Sequence, residues 1–414
     1  MHRRTACVVL SSMFMFCGAL PARSESQPFV LPAFLEAVKT RSPLLLSRRA
    51  AERAAATHGT QAKLPDDPMV MVELWQVPTT ADRLPLMITL KQAFAWPGKL
   101  TARQARAELD RDAARLDTAF LLQNLWLFAT RAYFQYFLAH RSLAVQRENR
   151  ATVETLLGAV DTRYRIGKAE FSERLFAQST LSEQNTLLFE LEQQRGISQK
   201  ELLSLLGETE SRELGTPITL PEETALPPAD VLSAQAWELR VESKLLDQKR
   251  KQAQAFLRLA AAEKGPDLAV WGSYMKSLRG DMEQTFTVGI QSSLPSFSLF
   301  RSSAQTEEAL ALLRQVDGEQ TQLRAELSKE VHVAYLRYVT TQKHLDLHRK
   351  ELSPLSEQAV KAARAGYQTG RVPLSLFLEV TQKHLQHRLE AEKYLAELGL
   401  RRAELLYAAG QGAF

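Results

Sequence analysis

His344 and His348 stand four residues apart, and His384 and His387 three apart. On a helix each pair would present two imidazoles on one face, which is the beginning of a metal centre. A centre needs further ligands. No glutamate sits between them in the His-Glu-x-x-His order of zinc proteases, and Cys7 and Cys17, the chain's two cysteines, both fall in an N-terminal segment expected to be removed. The pairs therefore read as ordinary surface histidines, and no metal site is assigned. Met69, Met71 and Met87 lie in segments with a strand period, where apolar packing or lipid contact explains them better than ligation of copper(I). The sequence holds no Gly-x-Ser-x-Gly elbow, Walker loop or dinucleotide fingerprint. No catalytic residue and no cofactor is assigned, and the chain reads as a non-enzyme.

Charge narrows the partners. Lys and Arg number 52 against 47 Asp and Glu, a net +5. That excess is too small for a nucleic-acid footprint, and it shrinks further if Arg3 and Arg4 are lost. Both arginines precede the apolar run Val8 to Phe16, which Gly18, Ala19, Pro21 and Ala22 follow. That order is a secretory signal, placed over residues 1–22. An exported chain without cysteines cannot be stapled by disulfides.

What organises the remainder is a duplication. Tyr164-Arg165-Ile166-Gly167-Lys168 returns as Tyr367-Gln368-Thr369-Gly370-Arg371, an offset of 203 (367 minus 164). Glu201-Leu202-Leu203 and Gly207 return as Glu404-Leu405-Leu406 and Gly410 at the same offset, whereas Ala132-Tyr133 and Arg147 match Ala334-Tyr335 and Arg349 at 202. A period of this size marks a duplicated module rather than a solenoid. The reading is a first repeat over 23–207, a linker over 208–228 and a second repeat over 229–414.

Between Pro97 and Pro217 there is no proline, and Ala, Leu, Glu, Gln and Arg dominate. A helix from Gly98 to about Arg165 would extend roughly 100 Å. The Gly167 phrase then turns the chain into a second helix, giving a long antiparallel coiled-coil hairpin over about 98–206. The second repeat predicts a matching hairpin over about 301–409, kinked or interrupted at Pro354, which has no counterpart in the first. Ahead of each hairpin come strands, over about 68–94 and 267–294. Leu86, Ile88 and Leu90 alternate with Met87, Thr89 and Lys91, and Phe286, Val288 and Ile290 alternate with Thr285, Thr287 and Gln291. Strands of about ten residues with one apolar face suit a tilted bilayer crossing. Four cannot close a barrel alone, so several copies are expected to pool them.

The twofold repeat, the Tyr-x-x-Gly turns, the strands opening each half and the phrase Gln92-Ala93-Phe94-Ala95-Trp96-Pro97-Gly98-Lys99 together resemble the TolC-type outer-membrane efflux proteins, and that phrase resembles the heavy-metal branch of resistance-nodulation-division systems. The second copy, Gln291-Ser292-Ser293-Leu294-Pro295-Ser296, departs from it, and Ser42-Pro43 stands where the family has Asn-Pro. The resemblance implies a mainly α fold with a transmembrane β part and four strands per chain. It also implies a homotrimer with a 12-stranded barrel in outer-membrane lipid, above an α-helical periplasmic tunnel. The implied partners are a periplasmic adaptor and an inner-membrane pump, with substrate conducted passively outward.

By the same resemblance, acidic residues six and nine positions beyond the turn glycine line a periplasmic gate. The position six beyond Gly370 is Leu376, a departure; Glu379 stands at nine, and Glu173 stands six beyond Gly167. Acidic rings select cations, so Glu379 and Glu173 are the gate candidates, with Tyr164 and Tyr367 as bonds across the tip. The plainer alternative is that both glutamates are solvated and both tyrosines pack. Gly167, Lys168, Gly370 and Arg371 form the implied adaptor-docking tips, although tolerance of positive φ already accounts for the glycines. Two other functions compete: the channel of a type I protein secretion system, and a soluble periplasmic coiled-coil structural protein.

Overall fold

The computed structural model describes residues 28–74, 85–218, 226–278, 283–293 and 296–412. The export signal, both cysteines, the turn formers Pro78-Thr79-Thr80 and Arg279-Gly280-Asp281, and part of the linker lie outside the described residues. The chain opens with β1 (Phe29–Val30), α1 (Leu31–Arg41) and α2 (Pro43–Gln61), followed by β2 (Met69–Leu74), β3 (Pro85–Phe94), α3 (Lys99–Arg165) and α4 (Phe171–Leu205). After β4 (Pro217–Ile218) the order returns: α5 (Ala229–Leu239), α6 (Val241–Ala262), β5 (Leu268–Ser277), β6 (Thr285–Ser292), α7 (Ser296–Leu347), α8 (Ser353–Gln368) and α9 (Leu374–Ala408).

The buried residues repeat with the elements. One core collects Phe34, Val38, Ala129, Ala132, Leu202 and Leu206 from α1, α3 and the end of α4; another collects Leu232, Ala236, Val331, Ala334, Leu405 and Ala409. Position for position these are the same sets, offset by 198 in the early helix (232 minus 34), 202 in the long helix and 203 at the end. Each core is an amphipathic helix face buried at the root of a hairpin. The short strands β1 and β4 pair in parallel, a contact not anticipated from the sequence. The Tyr133 hydroxyl secures that pairing, lying 2.8 Å from the Phe29 carbonyl and 2.7 Å from that of Ile218 and accepting from the Ile218 N–H. Burial pushes its pKa up to about 12.

The strands form one antiparallel sheet in the order β2-β3-β5-β6, so the two hairpins are joined through β3 and β5. Register puts Val70, Leu90, Gly272 and Val288 in one row and Val72, Ile88, Tyr274 and Phe286 in the next. Because side chains alternate, the expected apolar residues of β3 and β6 share a face with Val70 and Val72 of β2 and Val270 of β5, and it is uncovered: Phe286 is 71% exposed, Ile290 77% and Val70 66%. The opposite face carries Met71, Thr89, Lys91, Trp271, Ser273 and Gln291.

In the first repeat α3 runs unbroken for 67 residues. In the second, a π-turn over His348–Leu352 separates α7 from α8, directly before Pro354. The interruption expected at this proline is therefore one widened turn. Proline offers no N–H and crowds the carbonyl four residues back, and bonds reaching five residues relieve both conflicts. A π-turn also absorbs one extra residue, and the repeat offset changes from 202 at Arg349 to 203 at Tyr367, across this same stretch. The second repeat thus carries a one-residue insertion, stored as the π-turn.

Candidate gate and hairpin tips

Both hairpins turn with one backbone motif. Lys168 N–H bonds the Arg163 carbonyl at 2.8 Å and Gly167 N–H that of Tyr164 at 2.9 Å; Arg371 and Gly370 do the same to Gly366 and Tyr367 at 2.9 and 3.1 Å. This pair of bonds caps the last carbonyls of a helix. It requires φ of +69° at Gly167 and +74° at Gly370, where a side chain would be strained.

The two tips lie against each other. Tyr367 is buried, 5% exposed, stacked on Phe377, and its hydroxyl donates to Glu173 Oε2 at 3.4 Å. Burial, reinforced by the Glu173 charge, raises its pKa. Arg163, which sequence reasoning passed over, donates to the Tyr367 carbonyl at 2.8 Å and covers its ring. Asp161 accepts from Arg174 at 2.8 Å and pairs with Arg165 at 2.8 Å, and Arg174 above all holds its carboxyl below the usual range. Tyr164, the repeat partner of Tyr367, instead is 40% exposed beside Phe171. Glu379 is exposed and has no ion pair among the described residues. Of the four gate candidates, then, Tyr367 and Glu173 touch, while Tyr164 and Glu379 stand apart. Lys168 and Arg371 are exposed at the ends of the tips.

No protein-family model matches the sequence, and no curated protein matches it. Solved structures do. The chain superposes on the CmeC outer-membrane channel of Campylobacter jejuni with a TM-score of 0.78 at 14% identity, covering 99% of this chain and 94% of that one. For CusC, whose structures concern folding and transmembrane channel formation, the TM-score is 0.78 at 15% identity, with 97% of each chain covered. For the outer-membrane protein VceC of Vibrio cholerae it is 0.73 at 16%, covering 92% and 96%. The fold is that of outer-membrane channels.

Within that fold the Pro97-Gly98-Lys99 phrase has a definite task. Lys99, 6% exposed, donates to Asp267 Oδ1 at 2.8 Å, and the same oxygen accepts the Trp96 N–H at 3.0 Å. The base of α3 is thereby tied to the base of β5, where sheet gives way to helices in both repeats. Burial would raise the Asp267 pKa, but the bonds from Lys99 and Trp96 outweigh it and hold the carboxyl low.

The histidines do not all keep to the surface. His344 is exposed, whereas His348, the first residue of the π-turn, is only 6% exposed. The sequence pairs regroup: His348 meets His387 of α9, ring centroids 5.7 Å apart, while His384 bonds Ser356 at 2.8 Å and is held below the usual histidine range by burial, then by Arg388. A spacing rule finds neighbours on one helix; contact between helices is invisible to it.

Proposed function

We propose that this chain is the outer-membrane channel of a tripartite efflux system, passively conducting substrate received from an inner-membrane pump and a periplasmic adaptor. The sheet carries the reading: four short strands with one continuous uncovered apolar face, and β2 and β6 as edges whose outer sides have no strand partner among the described residues. Such edges are tolerated in lipid only if another chain closes them. Pairing β6 of one copy with β2 of the next in threefold symmetry makes twelve strands, with the apolar face outward and the Thr89, Lys91, Ser273 and Gln291 face lining the lumen. The long helices extend away from that barrel and form the periplasmic tunnel.

On this reading residues 1–22 are the export signal, 23–207 and 229–414 are the two repeats, and 208–228 is their linker. Glu379 and Glu173 face the passage at the closed tips, Tyr367 and Tyr164 belong to the same gate, and Gly167, Lys168, Gly370 and Arg371 present the adaptor-docking surface. Metal cations are one cargo class suited to acidic rings. The test is fractionation: a heat-resistant trimer recovered with outer membranes supports the channel, and release by osmotic shock as a monomer refutes it. Deletion followed by a susceptibility panel of metal ions, dyes and detergents separates efflux from polypeptide secretion.

A further inference from the structure

We infer that His348, His387 and Glu390 form a binding site for a borderline divalent transition metal such as zinc, clamping the π-turn to α9. The inference does not depend on the channel reading. One ligand atom from each of the three residues can be chosen so that all lie within 4.8 Å of one another. Glu390 Oε2 is 3.4 Å from Nε2 of His348 and 3.9 Å from Nδ1 of His387. Ligands about 2.0–2.1 Å from a tetrahedral ion are separated by about 3.4 Å, so small side-chain adjustments admit the ion. Two imidazoles and one carboxylate suit zinc, cobalt, nickel or copper(II), rather than the all-oxygen cations or copper(I). Gln386 donates to the other Glu390 oxygen at 3.3 Å and Tyr394 packs on the His348 ring at 5.2 Å, supports that orient ligands. Glu390 is partly exposed, leaving the fourth position open to water.

The molecule contains its own comparison. At the repeat offsets His348 corresponds to Gln146 and His387 to Gln184 (348 minus 202, 387 minus 203). In the first repeat these amides satisfy each other: Gln146 donates to Gln184 Oε1 at 2.9 Å, and Asn149 donates to the same oxygen at 2.7 Å. In the second, Nδ1 of His348 and Nδ1 of His387 are both buried without a hydrogen-bond partner, and Glu390 stands where the first repeat has Leu187. A buried unsatisfied nitrogen is costly. An ion held against Glu390 would take Nε2 of His348 and Nδ1 of His387, so it gives the unpaired His387 nitrogen a partner where the first repeat relies on amide bonds.

The experiment is equilibrium dialysis of the full chain, purified in detergent, against zinc chloride, with bound metal counted per chain, and cobalt(II) absorption as a second readout of ligand geometry. The native protein is expected to hold one zinc per chain in this site. Glu390→Gln and His387→Gln should each weaken it by roughly 100-fold or more, while His344→Gln and His384→Gln keep it. The double variant His348→Gln with His387→Gln reproduces the amide pair of the first repeat, so it should fold normally and lose the ion. Absence of zinc from the native protein, retention by the folded double variant, or equal loss in His344→Gln would overturn the proposal.

Discussion

Arg163 and Tyr367 meet twice, the guanidinium carbon lying 4.5 Å from the ring centroid while Nη1 donates to the backbone carbonyl at 2.8 Å. One residue ends the first hairpin's outgoing helix and the other ends the second's, so the contact fastens the two tips where they turn. The Tyr367 hydroxyl in turn donates to Glu173. On the proposed gate reading, opening the tips would separate these groups.

Arg163→Ala removes the cation–π contact, the bond to the Tyr367 carbonyl and a long one to the Lys168 carbonyl, together worth about 1–2 kcal/mol for groups in this partly exposed setting. Hydrogen exchange should accelerate at residues 161–174 and 363–378 and stay unchanged in the sheet. Equal protection in the variant would show that the tips are held by their apolar cluster alone.

The turn glycines were legible from the sequence because a repeated Tyr-x-x-Gly needs no tertiary information. Glu173 and Tyr367 were legible as residue types at a spacing, but their bond was not, since it joins positions 194 apart. Arg163 left no signal: an arginine in the last turn of a helix is ordinary, and only the neighbouring hairpin gives it a ring to cover. The strands were readable from alternation, whereas their union through β3 and β5 depends on register between residues 174 to 192 positions apart (268 minus 94, 277 minus 85). The Pro354 interruption was readable, whereas its form as a π-turn was not, because a change of one in the repeat offset does not say which backbone bonds absorb the extra residue.

Gly370→Ala tests the positive φ directly. The cost is about 1 kcal/mol at a left-handed position, and no atom stands within 4 Å of the added carbon, so strain and not collision is what the substitution reports. Gly167→Ala should cost the same amount by thermal unfolding, because the two turns share their bonds. A difference larger than about 1 kcal/mol between them would mean that the tips are not equivalent turns.

Asp267 makes the junction between sheet and helix sensitive to acid. Its folded pKa is depressed, so its contribution is present above the unfolded carboxylate value of about 3.9 and disappears as pH falls through the lower folded value. Asp267→Asn leaves buried Lys99 without its counter-charge. With Asp267 itself nearly half exposed, solvent screening limits the loss to about 1–2 kcal/mol at neutral pH. The gap between native protein and variant in urea unfolding should hold from pH 6 to about 4 and narrow as pH falls on through the depressed folded value; a gap still constant at about pH 2 would remove the pair from the account.

Tyr133→Phe deletes a hydroxyl with two carbonyls and one N–H around it and changes nothing else in shape. The expected loss is about 1–3 kcal/mol, because the Ile218 N–H and its neighbouring carbonyls keep no equivalent partner. Proteolysis within 208–228 should quicken, since β4 is held to β1 by only two residue pairs. An unchanged cleavage rate would assign the strand pairing to the surrounding apolar cluster.

Glu379 separates the gate reading from the plain surface one. It is exposed, and no cation neutralises it among the described residues; on the proposed gate reading, three such carboxylates in a threefold assembly would face one axis and raise the local concentration of cations. Glu173, by contrast, has a tyrosine hydroxyl to serve and less freedom to face the passage. Glu379→Ala should therefore weaken cation preference in planar-bilayer recordings more than Glu173→Ala does. Raising salt should shrink the difference, because the Debye length falls from about 10 Å at 0.1 M to 3 Å at 1 M. Glu173→Ala should act mainly by freeing Tyr367, seen as more frequent opening with a smaller change of selectivity than in Glu379→Ala. Equal selectivity for native protein and Glu379→Ala at low salt would return Glu379 to the solvated helix surface.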